Sequence, residues 1–307
     1  MGLTINASSQ EYLTNLDRTL TQMQKAQEQV SSGLRLQQAS DDPSAVASIF
    51  ELQSRIAQNQ QTQSNLGSVQ TELNSADSSL QSAITNVQNA LSLATQGATS
   101  SATAAERTNL ASQVGSILQN LVGISQTQVN GQYIFSGDQP SQPMYQLDPT
   151  QPNGVKELLT ATATRVITDV NGTSIAIAKT AQDIFDARDA QGNPQPGAVF
   201  TAVNSLMTAL QNNDQTGITQ AISSLHTADD HLNQSLAFYG NAEDRVTGAT
   251  ALAQKFLLQN QSDLSAKQDA DIPAAALALT KAQTQQQATL AVEAKIQQIP
   301  NLFSLLG

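Results

Sequence analysis

Apolar residues recur at steps of three and four along most of the chain, in runs that few glycines or prolines interrupt. Leu13, Leu16, Leu20, Met23 and Val30, with one missed step at Gln27, form a seam that predicts a helix over roughly residues 8–32. Ser31-Ser32-Gly33 supplies its stop signal. A second helix opens at Asp41-Asp42-Pro43, where Asp42 can cap free amides and Pro43 suits the first helical position. Its seam runs Ala45, Ile49, Leu52 and Ile56, then Leu66, Val69, Leu73, Ala76, Leu80, Val87, Leu91 and Ala94. Read as one helix, residues 43–96 span about 80 Å, too long to wrap a compact core, and predict a rod or coiled coil. A third helix carries Leu110, Val114, Ile117, Leu121 and Ile124 on one face. The short loop before it predicts that it runs antiparallel to the second.

The pattern changes at Asn130-Gly131. Pro140, Pro143, Pro149 and Pro152 exclude a helix there, and from Thr160 to Ile177 small polar and apolar residues alternate. Asn171-Gly172 is the preferred two-residue hairpin turn, so residues 131–200 read as a small β-rich insert. Tyr133-Ile134-Phe135 is expected to pack this insert onto the helices. Helical spacing returns with Val203, Leu206 and Leu210, continues through Ile218, Leu225, Leu232 and Tyr239, and reaches Phe256. Ile272-Pro273 marks a break, and a last helix holds Leu277, Leu290, Ile296 and Ile299.

The expected fold is therefore mainly α. The N- and C-terminal segments form a long antiparallel rod or coiled coil, with the β-rich insert in the middle. The segments divide as 1–42, an N-terminal helix disordered until assembled; 43–130, the first part of the rod; 131–200, the insert; 201–264, the second part of the rod; and 265–307, a C-terminal helix pairing with 1–42. Disorder is expected at the ends because a few anchors cannot offset the entropy of ordering an isolated helix. The assembly interface would use Leu13, Leu16, Leu20, Met23 and Val30 from one end, and Leu290, Ile296, Ile299, Leu302 and Leu305 from the other.

Composition sharpens this picture. Charged residues are 13% of the 307, against roughly 25% in ordinary soluble domains. Neutral polar surface costs little to desolvate, whereas a buried charge needs a partner, so such helices suit repeated burial against other protein. The net charge of -11 argues against nucleic acid as a partner. With no Cys, disulfides, zinc–thiolate sites and thiol nucleophiles are excluded. No apolar run approaches the length of a membrane-spanning helix, so no membrane insertion is expected. Met1-Gly2-Leu3-Thr4-Ile5-Asn6 lacks the basic and apolar regions of a cleavable signal peptide.

Candidate chemistry is sparse. His226, Asp229, Asp230 and His231 resemble metal ligands, but His231 is rotated off the face that His226 and Asp230 share, and a solvated patch explains them. Asp41-Asp42 could pass for paired acids, yet helix capping accounts for both. Asn171-Gly172-Thr173 matches a glycosylation acceptor, which a hairpin turn explains equally well. No catalytic residue, metal or cofactor is expected, and the chain does not read as an enzyme.

The segment Gln29-Val30-Ser31-Ser32-Gly33-Leu34-Arg35-Leu36, followed by Ser40-Asp41-Asp42-Pro43-Ser44-Ala45, resembles the N-terminal signature of the flagellin superfamily. Asp269-Ala270-Asp271-Ile272-Pro273 and Leu279-Thr280-Lys281-Ala282-Gln283 are similar to the matching C-terminal signature. The motif residues carrying the likeness are Ser32, Gly33, Arg35, Asp41, Asp42 and Pro43, with Gly131, Tyr133, Phe135 and Gly137 in the middle. Within the superfamily, Asn130–Gly137 and Asp-Asp-Pro resemble the members that join hook to filament, while the ending Ile299–Gly307 looks more like a flagellin tail. The resemblance implies a structural subunit of the bacterial flagellum that joins hook to filament by helical packing; flagellin itself is the alternative. A coiled-coil binding or fibre protein unrelated to either stands as a second. The implied partners are a hook-side junction protein, filament flagellin, copies of itself, an export chaperone and the type III export apparatus. The implied location is extracellular, in the flagellum, reached without a cleavable signal.

Overall fold

The computed structural model describes residues 2–36, 38, 42–195 and 197–298. The fold is mainly helical, with small hairpins in the middle, as the spacing predicts. Helix α1 is Gly2–Ser32, α2 is Pro43–Gly97 and α3 is Ala104–Ser125. Three hairpins follow: β1 (Gln128–Val129) with β2 (Gln132–Tyr133), β3 (Tyr145–Leu147) with β4 (Val155–Glu157), and β5 (Val166–Thr168) with β6 (Ser174–Ala176). The short α4 (Ala181–Phe185) leads to α5 (Val199–Gln211), the long α6 (Gln215–Gln268) and α7 (Ile272–Gln298). The chain divides into two compact units, Met1–Gln58 with Phe256–Gly307, and Asn59–Lys255.

In the second unit the heptad pattern becomes a core. The buried positions of α6 run Ile218, Ala221, Leu225, Ala228, Leu232, Ser235, Tyr239, Ala242, Val246 and Ala249. They step by threes and fours and alternate a large side chain with Ala or Ser. Helix α2 answers with Leu66, Val69, Leu73, Ala76, Leu80, Ala83, Val87, Ala90 and Ala94, and the two helices pack antiparallel. The small residues let the backbones approach closely while the large ones fill the space between them. Helix α3 begins with a capping box, in which the Glu106 N–H donates to the Thr103 hydroxyl at 3.2 Å and the Thr103 N–H donates to the Glu106 carboxylate at 2.7 Å.

The insert differs from a separable appendage. Ile134, Phe135, Met144, Tyr145, Ile175, Ile177 and Phe185 belong to the same continuous core as Leu73, Leu80, Leu232 and Tyr239. A relay of rings joins them: Tyr145 to Phe200 at 5.4 Å, Phe200 to Phe185 at 5.5 Å, and Phe185 to Phe135 at 6.1 Å. Its strands are two or three residues long and form no larger sheet, so side-chain burial, and not a β ladder, holds it together.

Candidate assembly interface

The two terminal signatures, far apart in sequence, meet in space. Gly33 ends α1 with φ +74, where its N–H donates to the Gln29 carbonyl at 3.0 Å, an arrangement that favours glycine. Leu34 then lies opposite Asp269 in an antiparallel bridge. The Arg35 N–H donates to the Gln268 carbonyl at 2.8 Å, and the Ala270 N–H donates to the Gly33 carbonyl at 2.9 Å. Arg35 Nη2 donates to the Lys267 carbonyl at 2.7 Å, at the electronegative end of α6. Ser32 Oγ accepts the Leu34 N–H at 3.1 Å.

Both following helices start with one device. Asp42 Oδ1 accepts the N–H groups of Ser44 and Ala45, each at 3.2 Å, and Pro43 occupies the first helical position. The Ser44 hydroxyl and these amides hold the Asp42 carboxyl below its usual range. At the other break Asp271 Oδ1 accepts the Ala274 N–H at 2.9 Å, and Pro273 sits in the first turn of α7. Asp41 lies outside the described residues.

Helices α1 and α7 pack against each other through a seam of small residues. Thr19 and Ala26 are buried on α1, Ala275 and Ala282 on α7, while Leu16, Met23 and Leu279 are half-buried. The larger apolar residues turn elsewhere: Leu13 is 60% exposed and Leu290 50%, and Leu20 and Val30 are also exposed. The predicted seam of α1 thus contributes to two faces. Leu16 and Met23 lean towards α7, and Leu13, Leu20 and Val30 face solvent. Ile299, Leu302 and Leu305 lie outside the described residues, and the side chain of Ile296 is likewise undescribed.

The internal motif is a turn fitted to the core of the second unit. Asn130 (φ 52) and Gly131 (φ 76) close the β1–β2 hairpin with the left-handed backbone such a two-residue loop requires. Tyr133 is half-buried, and its N–H donates to the Pro140 carbonyl at 2.8 Å. Phe135 is fully buried, and its carbonyl accepts the Ala181 N–H at 2.6 Å. Gly137 has φ +60, and a Cβ there would lie 2.7 Å from the Ala161 Cβ and 2.8 Å from the Ala163 carbonyl oxygen.

Two polar clusters escaped the sequence reading. Arg107, buried at a seam position of α3, donates to the carbonyls of Gly97 and Thr99 and to the side chains of Asn213 and Gln215. A cation on the apolar face of a predicted helix was the available signal. Asp186 is fully buried, and accepts from the Tyr145 hydroxyl at 3.1 Å, the Asn153 amide at 3.3 Å and Arg188 Nε at 2.9 Å. Burial, and then the neighbouring Asp186 charge, push the Tyr145 phenol far above its usual range. Its partners are scattered through the sequence, and no local pattern marks them. His231 makes a hydrogen bond with the Asp183 carbonyl at 2.7 Å, and among the described residues no three His, Cys, Asp or Glu gather as a metal site.

Residues 4–139 match the family of the bacterial flagellin N-terminal helical region. No curated protein matches the chain by sequence. Among solved structures, a putative flagellar hook-associated protein from Vibrio parahaemolyticus shares the fold with a TM-score of 0.64 at 18% identity, over 74% of this chain and 99% of that one. The flagellar hook-associated protein 3 of Legionella pneumophila gives 0.62 at 14% identity, over 71% and 98%. The flagellar junction protein FlgL from the same organism gives 0.53 at 13% identity, over 66% and 99%. The segment that matches this family therefore lies in a chain that shares the fold of these hook-associated proteins. Among the described residues no helix is long and apolar enough to cross a membrane.

Proposed function

We propose that the chain is a structural subunit of the bacterial flagellum that joins hook to filament, its terminal helices packing against neighbouring subunits. One observation carries this reading. Among the described residues twelve large apolar side chains are exposed, and ten of them, all but Leu158 and Val166, lie in the unit containing α1 and α7. Isolated exposed apolar residues are ordinary, but their concentration on one unit marks a surface meant to be covered. Its neighbours are a hook-side junction protein, filament flagellin and copies of itself. The chain travels unfolded through the type III export apparatus, with an export chaperone on its C-terminal segment.

A junction subunit meets unlike neighbours on its two sides, whereas a filament subunit repeats one non-closing contact indefinitely. Purified protein seeded with filament fragments under salting-out conditions should therefore yield no long filaments in electron micrographs. It should coat hook ends that already carry their first junction protein. Micrometre-long tubes of this chain alone would overturn the junction role in favour of flagellin, and failure to bind hook ends would remove it altogether. Leu20→Asp should abolish hook-end binding while leaving the far-ultraviolet circular dichroism of the free subunit unchanged.

A further inference from the structure

We infer that the crossing of Gly33–Arg35 with Lys267–Ala270 is a register clamp, which fixes the residues of α1 that meet given residues of α7, with Arg35 as its positioning residue. The inference goes beyond the flagellar reading, because it concerns pairing within one chain and holds whatever the chain assembles with.

The need for a clamp follows from the seam. Thr19 and Ala26 face a partner helix on which, among the described residues, Ala275 and Ala282 are buried. Small side chains at repeating positions offer little volume to interlock, so a slip by one heptad exchanges small for small and costs little packing. Coiled coils usually specify register through large or polar core side chains. Here Leu13, Leu20 and Leu290 lie outside the seam, and the large residues that flank it, Leu16, Met23 and Leu279, are only half-buried.

The crossing supplies what the seam lacks. Two backbone hydrogen bonds flank the Leu34–Asp269 pair, and the Arg35 guanidinium adds a third bond, to the last turn of α6. Backbone pairing of this kind admits no continuous sliding, because displacement by one residue breaks both bonds. The register set there continues into the helices. Eight residues before Leu34 is Ala26 and eight after Asp269 is Leu277, and one groove is lined by Ala26 together with Ala278 and Ala282. The glycine in the crossing answers to backbone alone: Gly33 has φ +74, and a Cβ there would meet nothing within 4 Å.

The functional consequence concerns the outer surface. Leu13 and Leu20 on α1 and Leu290 on α7 are exposed, and their relative positions are set by the register, since a heptad slip moves the helices past each other by about 10 Å. The clamp therefore decides the face a neighbour meets.

The chain has no Cys, so probes can be placed cleanly. Lys25→Cys and Lys281→Cys flank one groove and would carry nitroxide labels in the full chain for pulsed electron resonance. The parent should give a single narrow distance. Gly33→Ala with Arg35→Ala should add a second, distinct distance population at unchanged helix content, as helices that have slid by about 10 Å require. Arg35→Lys with Gly33 retained, which keeps a charged donor, should restore most of the single population. Separately, Leu34→Cys with Asp269→Cys should oxidise to an intramolecular disulfide under mild conditions, because a non-hydrogen-bonded antiparallel pair has suitable Cα spacing. An unchanged distance in the doubly substituted chain, several distances in the parent, or a pair that will not oxidise would each overturn the clamp. Loss of helix in the variant would overturn it too, since the crossing would then hold the helices folded and not select their register.

Discussion

The ring of Phe135 meets that of Tyr239 edge to face, with centroids 6.2 Å apart and planes at 87°. Phe135 belongs to the insert and Tyr239 to the seam of α6, so this contact joins the β-rich segment to the helices. Edge-to-face pairs add modestly to area burial, but removing a fully buried Phe leaves a cavity. Phe135→Ala should cost about 3–5 kcal/mol in urea unfolding. Replacing residues 138–198 with a short flexible linker should also lower the melting temperature sharply, because Met144, Tyr145 and Phe185 leave the core with it. Near-parent stability in both would show that the helices do not depend on the insert.

Gly131 and Gly137 separate conformational from steric demand. Both have positive φ, but a Cβ at Gly131 meets nothing within 4 Å, whereas one at Gly137 meets the Ala161 Cβ and the Ala163 carbonyl. Gly131→Ala should cost about 1–2 kcal/mol, the penalty of a left-handed conformation. Gly137→Ala should cost more, because the backbone of the neighbouring loop must also move. Equal losses in chemical denaturation would contradict the close approach.

Arg107 gathers the end of α2, the loop before α3 and the loop between α5 and α6 through four neutral acceptors. Arg107→Met keeps the length and loses the donors, leaving the carbonyl of buried Gly97 without this partner. On the order of 3 kcal/mol should be lost. None of these four partners is a carboxylate, so the loss should hardly change between low salt and about 0.5 M, where exposed ion pairs are screened. A marked salt dependence would point to an ion pair in place of this hub.

Acid should loosen the caps first. Asp42 is held below its ordinary value of 3.8 chiefly by the Ser44 hydroxyl, and Asp138 by that of Thr162. Glu106 is held below 4.5 chiefly by the Thr103 amide. A carboxylate lowered in the folded state contributes stability that is present above its ordinary value and lost as pH falls through the lowered one. Glu243 runs the other way, raised by burial and then by Asp77 and Asp244, so its protonation on acidification offsets part of the loss. Thermal stability should rise slightly as pH falls through the raised Glu243 value, and then fall as pH drops below the ordinary values of the capping carboxylates. Glu106→Gln should reduce that slope, and an unchanged slope would remove the α3 cap from the account.

The helices and their breaks were legible because heptad spacing and capping chemistry are local. Asp42-Pro43 and Ile272-Pro273 announced the starts of α2 and α7, and Asn171-Gly172 the β5–β6 turn. The contact of insert and helices was legible at Tyr133-Ile134-Phe135, but its extent was not, because Tyr145, Phe185 and Phe200 stand alone in sequence and acquire meaning only when folding stacks them. The seam of α1 shows a subtler limit. Stepping by threes and fours from Leu16 and Met23 leads equally to Leu13 and Leu20 or to Thr19 and Ala26, and the small residues of α7 decide between them. The Arg35–Lys267 bond joins residues 232 apart, and nothing in either segment alone announces it.

The three hairpins carry one more implication. Among the described residues each sheet has two strands, so all six strands are edges, yet none exceeds three residues, and several outward groups are already engaged, such as the Tyr133 N–H with the Pro140 carbonyl. Strands so short give an incoming chain too few ladder positions to template unwanted fibrils, a hazard for any protein stored or exported at high concentration. Apart from Val166 on β5, the exposed large apolar side chains lie off the strands, so association through helix surfaces, where geometry discriminates among partners, is not exposed to competition from backbone ladders, which accept almost any sequence.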